Sequence, residues 1–314
     1  MGVLRGRAAF DAPGHVDSVG LHQLAATRGL AMVFPAQRLA RHTRRLLKHV
    51  VLVGFGVLML TPMLWMVSTS LKPDGLEFEY PPRLLPTTVT FENYERGLTI
   101  LPFARYFLNS LVVTGLATTG NVLSASFVAY GFARLRFPER DLLFVVLLAT
   151  VMIPFQVTLI PTFVLFKYLG WVNTFLPLTV PHFLGGGVFY IFLMRQYFMT
   201  IPYDLDEAAR IDGASSFQIW WRILMPLSKP ALGTVAVFSV LTSWNDFLGP
   251  LIYMNKPDMR TMALGLQFFV GQFGTRWNQL MAVSVVTTIP MVILFFLAQR
   301  FFMRGIALTG ITGR

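Results

Sequence analysis

Cysteine is absent from the chain, which excludes disulfides and thiolate metal sites. Charge is scarce. Only 13% of the 314 residues are Asp, Glu, Lys or Arg, against roughly a quarter in a soluble domain. None of the five histidines (His15, His22, His42, His49, His182) has metal-ligand spacing with a second histidine and an acid. There is no Gly-x-x-x-x-Gly-Lys-Ser/Thr phosphate loop, no His-Glu-x-x-His and no Ser/His/Asp set, so neither catalytic residues nor a metal or cofactor is expected. What is abundant is apolar. The chain is 54% hydrophobic with a mean hydropathy of +0.60, so the solvent it suits is lipid. Its net charge of +11 could point to nucleic acid, but the basic residues sit between apolar runs, where membrane topology explains them.

Runs of about 20 apolar residues predict transmembrane helices. They fall at about Val50–Ser70, Phe107–Ala133, Leu142–Tyr168, Phe175–Tyr197, Ala231–Met254 and Leu280–Phe302. The expected class is an all-α polytopic membrane protein of about six helices in one bundle. An inside N-terminus places Arg38, Arg41, Arg44, Arg45 and Lys48, then Arg134, Arg136 and Arg140, then Arg195, Arg210, Arg222 and Lys229 on the cytoplasmic side. That count satisfies the positive-inside rule with a cytoplasmic N-terminus. Residues 1–36 lack periodicity and read as a disordered extension. Residues 37–48 interleave leucines with basic residues and suit the anionic inner leaflet or a plain positive anchor. The membrane domain is then 37–314.

A polar island at 199–229 separates the fourth and fifth runs. Asp204 suits a helix cap or first turn, and Glu207 lies where acidic charge complements the helix dipole. Ala208 and Ala209 are small enough for close approach by another chain. Gly213, after Asp212, can take the left-handed conformation that ends the helix. A serine of Ala214-Ser215-Ser216 can cap a second helix, in which Phe217, Trp220, Trp221 and Leu224 recur at helical spacing and suit the headgroup zone. Pro226 and Pro230 break the segment before the next span. A helix, a glycine turn and a helix, lying flat under the bilayer, are expected.

Glu207-Ala208-Ala209, Gly213 six residues after the Glu, Ile223 ten further and Pro226 three beyond resemble the signature loop of ABC-importer permeases. Met225 replaces the usual Leu, a swap of similar volume. The resemblance covers roughly residues 45–314. It extends to Trp244-Asn245-Asp246-Phe247, to Asn255–Arg260, to Met152–Pro161 and to Arg304-Gly305. These segments are similar to the carbohydrate-uptake branch, in the subunits like the maltose-system G and glycerol-3-phosphate-system E permeases. The resemblance implies a type I importer permease fold in a bacterial cell membrane that conducts and couples but does not hydrolyse ATP. It implies a second homologous permease, two cytoplasmic ATP-binding subunits and an extracytoplasmic solute-binding protein as partners, with a sugar or sugar-like solute, glycerol-3-phosphate included. Glu207, Ala208, Ala209, Asp212 and Gly213 would then be the ATPase-coupling residues.

Polar groups inside a bilayer are costly and mark packing or a pathway. Asp246 is the clear acidic residue within a predicted span. With Trp244 and Asn245 it offers an aromatic face, an amide and a carboxylate, which can bind sugar hydroxyls or instead fix helix packing. Gln156 lies between Pro154 and Pro161, which bend a helix and suit a cavity or a packing kink. Helix two carries Asn109, Ser110, Thr114, Asn121 and Ser124, which suits close packing, with Asn121 a further pathway candidate. An ion-coupled secondary transporter without an ATPase is the alternative. It would want more ionisable residues at mid-membrane and an internal repeat, and would have no reason to carry the loop.

Overall fold

The computed structural model describes residues 18–271 and 274–309. It divides into two compact units, Met1–Met63 and Leu64–Arg314. The described residues of the first form a stretch of α1 (Ser18–Ser70). This helix takes in residues 18–36, which the sequence leaves without an element, although Leu21, Leu24, Ala25 and Ala31 are good helix formers. Residues 1–17 lie outside the described residues. The membrane-spanning portion of α1, Arg44–Ser70, is 27 residues long. At 1.5 Å per residue it extends about 40 Å, more than the hydrocarbon thickness requires.

The second unit continues through α2 (Glu92–Thr99), α3 (Phe103–Arg134), α4 (Arg140–Ala149) and α5 (Phe155–Tyr168). Next come α6 (Leu176–Phe183), α7 (Val188–Thr200), α8 (Asp204–Ile211), α9 (Ser216–Gln218) and α10 (Met225–Leu227). It closes with α11 (Lys229–Trp244), α12 (Leu248–Tyr253), α13 (Met262–Leu266) and α14 (Trp277–Thr309). A two-stranded antiparallel ribbon, β1 (Val270–Gly271) with β2 (Gly274–Thr275), is a small addition to the expected all-α class.

Among the described residues, four helices are long and apolar enough to cross a membrane, or up to six if each sharply bent pair counts as one span. The third predicted span is one such pair. It bends by 96° between Met152 and Phe155, where Pro154 is extended and cannot donate a backbone hydrogen bond. Pro161, also expected to bend it, lies inside α5. The fourth span breaks between α6 and α7 at Gly185 and Gly186, whose φ angles are +143° and +57°. These values favour glycine. The second bent pair is Ser216–Leu227 with Lys229–Trp244, at 82°, so the amphipathic segment turns into the fifth span at Ser228.

Helix α3 is the axis of the second unit, packing against α6, α7 and α11. Small residues permit this. A methyl group on Gly120 would lie 2.9 Å from the His182 backbone carbon and 2.8 Å from the Phe183 ring. The polar residues of α3 tie elements together. Asn109 donates to the Asp258 and Arg260 carbonyls at 2.8 and 2.9 Å, and the Ser110 hydroxyl accepts from the Met262 amide. Ser124 donates to the His182 carbonyl at 2.7 Å. In lipid these bonds and van der Waals fit, rather than water exclusion, hold helices together. The cluster nearest α8 contains Tyr130, Met194, Phe198, Trp220, Leu224 and Val235. Trp220 and Leu224, expected at the headgroups, are buried in it, whereas Phe217 and Trp221 are exposed. The segment Ile219–Leu224 is a π-helical turn, and its wider winding changes which residues share a face.

Candidate functional site

The polar island folds as a short helix, a glycine turn and a second helix. Asp204, Asp206 and Glu207 occupy the first turn of α8, where backbone N–H groups carry positive partial charge. Gly213 ends the helix with φ +82°. Its N–H donates to the Arg210 carbonyl at 3.0 Å, and the Ala214 N–H reaches back to the Ala209 carbonyl at 2.9 Å. This pair of bonds is the Schellman closure, which needs a left-handed residue at that point. Ser215 then caps α9 reciprocally. Its hydroxyl accepts from the Gln218 amide, and the Gln218 side chain accepts from the Ser215 amide at 2.7 Å. Two tight closures in succession make the turn stiff.

Stiffness is joined to exposure. Glu207, Ala208, Ile211, Asp212 and Gly213 are exposed, while Ala209 packs partly into the Tyr130 cluster. Ile211 is 87% exposed, a large apolar side chain four residues after Glu207 on the same helical face. Sequence reasoning passed over Ile211, which only its exposure marks out. On the opposite face Asp206 is fully buried beside Arg134, with Arg134 Nε 3.9 Å from Asp206 Oδ2. Burial pushes the Asp206 carboxyl above the usual carboxylate range, and Arg134 and Arg210 pull it back.

The intramembrane candidates do not form one cluster. Asp246 lines a cavity of about 460 Å³ with His182, Ser243, Thr162, Tyr253 and Phe155. Its Oδ1 accepts the Gly249 amide at 3.1 Å. The neighbouring Trp244 is buried, edge-on to Phe107 at 5.8 Å. Asn245 is exposed and its amide donates to the Leu241 carbonyl. Gln156 is exposed on α5. Asn121 is buried on α3, where it donates to Ser239 at 2.8 Å and its carbonyl meets His182 Nδ1 at 3.1 Å. A chain Ser239–Asn121–His182 thus runs from α11 through α3 to the wall of the Asp246 cavity. His182 was not singled out from sequence. Its signal was a lone imidazole inside an apolar run, which is expensive unless partnered.

A family model for binding-protein-dependent transport system inner membrane components matches residues 120–307, more than half of the chain. YurM of Bacillus subtilis (strain 168), a probable ABC transporter permease protein, is 34% identical over 80% of this chain and 83% of its own length. The sn-glycerol-3-phosphate transport system permease protein UgpE of Yersinia pestis is 33% identical over 82% of this chain and 94% of its own. AraQ of Halalkalibacterium halodurans, an arabinooligosaccharides transport system permease protein, is 32% identical over 87% and 99%. Among solved structures, a bacterial ABC transporter involved in the import of the acidic polysaccharide alginate contains a similar chain. It matches with a TM-score of 0.72 at 23% identity, over 82% of this chain and 95% of that one, a likeness of fold. These matches support the importer reading and lend nothing to an ion-coupled carrier. The chain therefore belongs to the binding-protein-dependent transport system inner membrane components, the permease subunits of ABC importers.

Proposed function

We propose that this chain conducts a neutral sugar through a permease pair and that α8 is the element an ATPase moves. The observation carrying the coupling role is the α8–Gly213–α9 turn. It is closed by two capping motifs, and it presents Glu207, Ala208 and Ile211 outward. A stiff projection of this kind can sit in a partner's cleft and transmit displacement without deforming. The partners are a second homologous permease, two cytoplasmic ATP-binding subunits and an extracytoplasmic solute-binding protein. The N-terminus and the 199–229 loop are cytoplasmic, as the distribution of Lys and Arg favours.

For the solute, the Asp246 cavity supports a neutral polyhydroxyl compound over a phosphorylated one. Among the described residues its lining combines a carboxylate, an imidazole, hydroxyls and aromatic rings and includes no Lys or Arg. A phosphate would meet Asp246 without a compensating cation. Asp246, Asn245 and Gln156 are the pathway candidates with access to a cavity or a surface, whereas Asn121 and Trp244 act by holding the helices around it.

The test is co-purification from detergent-solubilised membranes with every subunit identified. An ATPase and a second permease should accompany the wild-type chain, and Glu207→Lys should lose the ATPase at normal membrane abundance. A lone wild-type chain in several mild detergents, or full ATPase recovery with Glu207→Lys, would refute the coupling assignment.

A further inference from the structure

Arg134 is the last residue of α3 and is 4% exposed. Its Nη2 donates to the Phe198 and Ile201 carbonyls, each at 2.7 Å. Those carbonyls end α7, where the helix dipole is negative. Its Nε faces Asp206 in the first turn of α8 at 3.9 Å. One guanidinium therefore joins the cytoplasmic ends of α3 and α7 to the helix that projects toward the ATPase.

The joint is unfinished. A distance of 3.9 Å is too long for a hydrogen bond. Neither Asp206 carboxylate oxygen, nor Arg134 Nε, has a hydrogen-bond partner among the described residues. A buried pair serving only as a clamp would close to about 2.8 Å and satisfy both groups. Here the Coulomb attraction is in place but the hydrogen bonds are unmade. A movement of α8 toward α3 by about 1 Å would make them.

The consequences of such a movement reach far. Helix α3 is a continuous 32-residue helix, about 48 Å long. Along it Asn121 and Ser124 hold the His182 wall of the Asp246 cavity, and Asn109 holds the outer loop at Asp258 and Arg260. We infer that Asp206 and Arg134 form a joint that closes when α8 is driven toward α3, transmitting its displacement to the cavity. Both are positioning residues. The inference rests on the coupling reading of α8 and adds the route by which the loop's motion enters the membrane domain.

The chain's lack of cysteine supplies a readout that needs no known solute. Ser243→Cys places a single thiol of this chain in the cavity wall. Its labelling by a membrane-impermeant maleimide from outside is measured in right-side-out vesicles loaded with or without ATP. The complex is then purified to quantify the bound ATPase. In the otherwise wild-type complex, ATP should change the labelling rate severalfold. Asp206→Asn should keep the ATPase bound and cut that ATP-dependent change at least fivefold, whereas Asp206→Glu should retain at least half of it. Arg134→Gln with Asp206→Asn removes both charges and keeps hydrogen-bonding groups, so it guards against misfolding. It should restore abundance to any unstable single variant without restoring the ATP response. An undiminished ATP response in Asp206→Asn or in the double variant, at normal abundance, would overturn the joint. Failure of the wild-type chain to bind an ATPase would instead overturn the coupling reading beneath it.

Discussion

Gly213 offers a test in which backbone conformation and side-chain size make opposite forecasts. Its φ is +82°, and a Cβ built there meets nothing within 4 Å. Size therefore costs nothing in this chain, and conformation should decide. Alanine in the left-handed region costs about 1 to 2 kcal/mol, while asparagine, larger but tolerant of that region, costs less. Valine should be worse than alanine because its branched Cβ restricts it further. Proline fixes φ near −65° and removes the N–H that bonds the Arg210 carbonyl at 3.0 Å, adding about 1 kcal/mol for the lost bond to the conformational misfit. A shift of 1 to 2 kcal/mol changes the population of the closed turn by about 5- to 30-fold. The assay is ATP-driven uptake in vesicles, normalised to the amount of inserted chain. The expected order is Gly, Asn, Ala, Val, Pro, with Pro inactive though inserted. If Asn were worse than Ala and activity simply followed side-chain volume, the turn would be acting as a contact surface and the argument from stiffness would fail.

Gly120→Leu should destabilise the second unit by about 1 to 3 kcal/mol through overpacking, because a methyl group alone would meet the His182 backbone and the Phe183 ring inside 3 Å. A thermal melt in detergent would read this, and an unchanged melting temperature would count against the α3–α6 contact. Arg134→Gln removes the stronger of the two cations acting on the buried Asp206, leaving Arg210, and should cost up to about 3 kcal/mol where that carboxylate must ionise. The sign follows from the raised Asp206 value. Below the ordinary carboxylate range both folded and unfolded states are protonated, so the loss is small. As pH rises toward the folded value the unfolded state ionises first, and stability falls before levelling off. Melting of Arg134→Gln should thus be closer to wild type at pH 5 than at pH 8, and a pH-independent difference would refute the assignment. Asp246→Asn should raise the KM for uptake of a neutral oligosaccharide about tenfold, as for loss of charge-assisted hydrogen bonds worth about 1.5 kcal/mol, with no change in ATPase recovery. An unaltered KM would remove Asp246 from the pathway.

The apolar spans, the helix–turn–helix island and the turn at Gly213 follow from the sequence alone. Each is governed by local chemistry: lipid demands long apolar runs, a left-handed turn demands glycine, and a helix start favours a capping serine. The same locality makes Pro154 legible as the bend in the third span. What only the tertiary structure decided is which polar side chains meet. Asn121 and Asp246 are both pathway candidates by sequence, yet Asn121 is spent on Ser239 and His182, and Asp246 borders a cavity. From sequence Arg134 counts only as one positive charge on the inner side, and nothing singles out Asp206. They are 72 positions apart, and no local pattern says that α3, α7 and α8 converge on one guanidinium. In a membrane the hydrophobic effect fixes which segments insert but gives little preference for how they pack. The pairing is decided by close-packing glycines and by polar groups that must find partners within the protein.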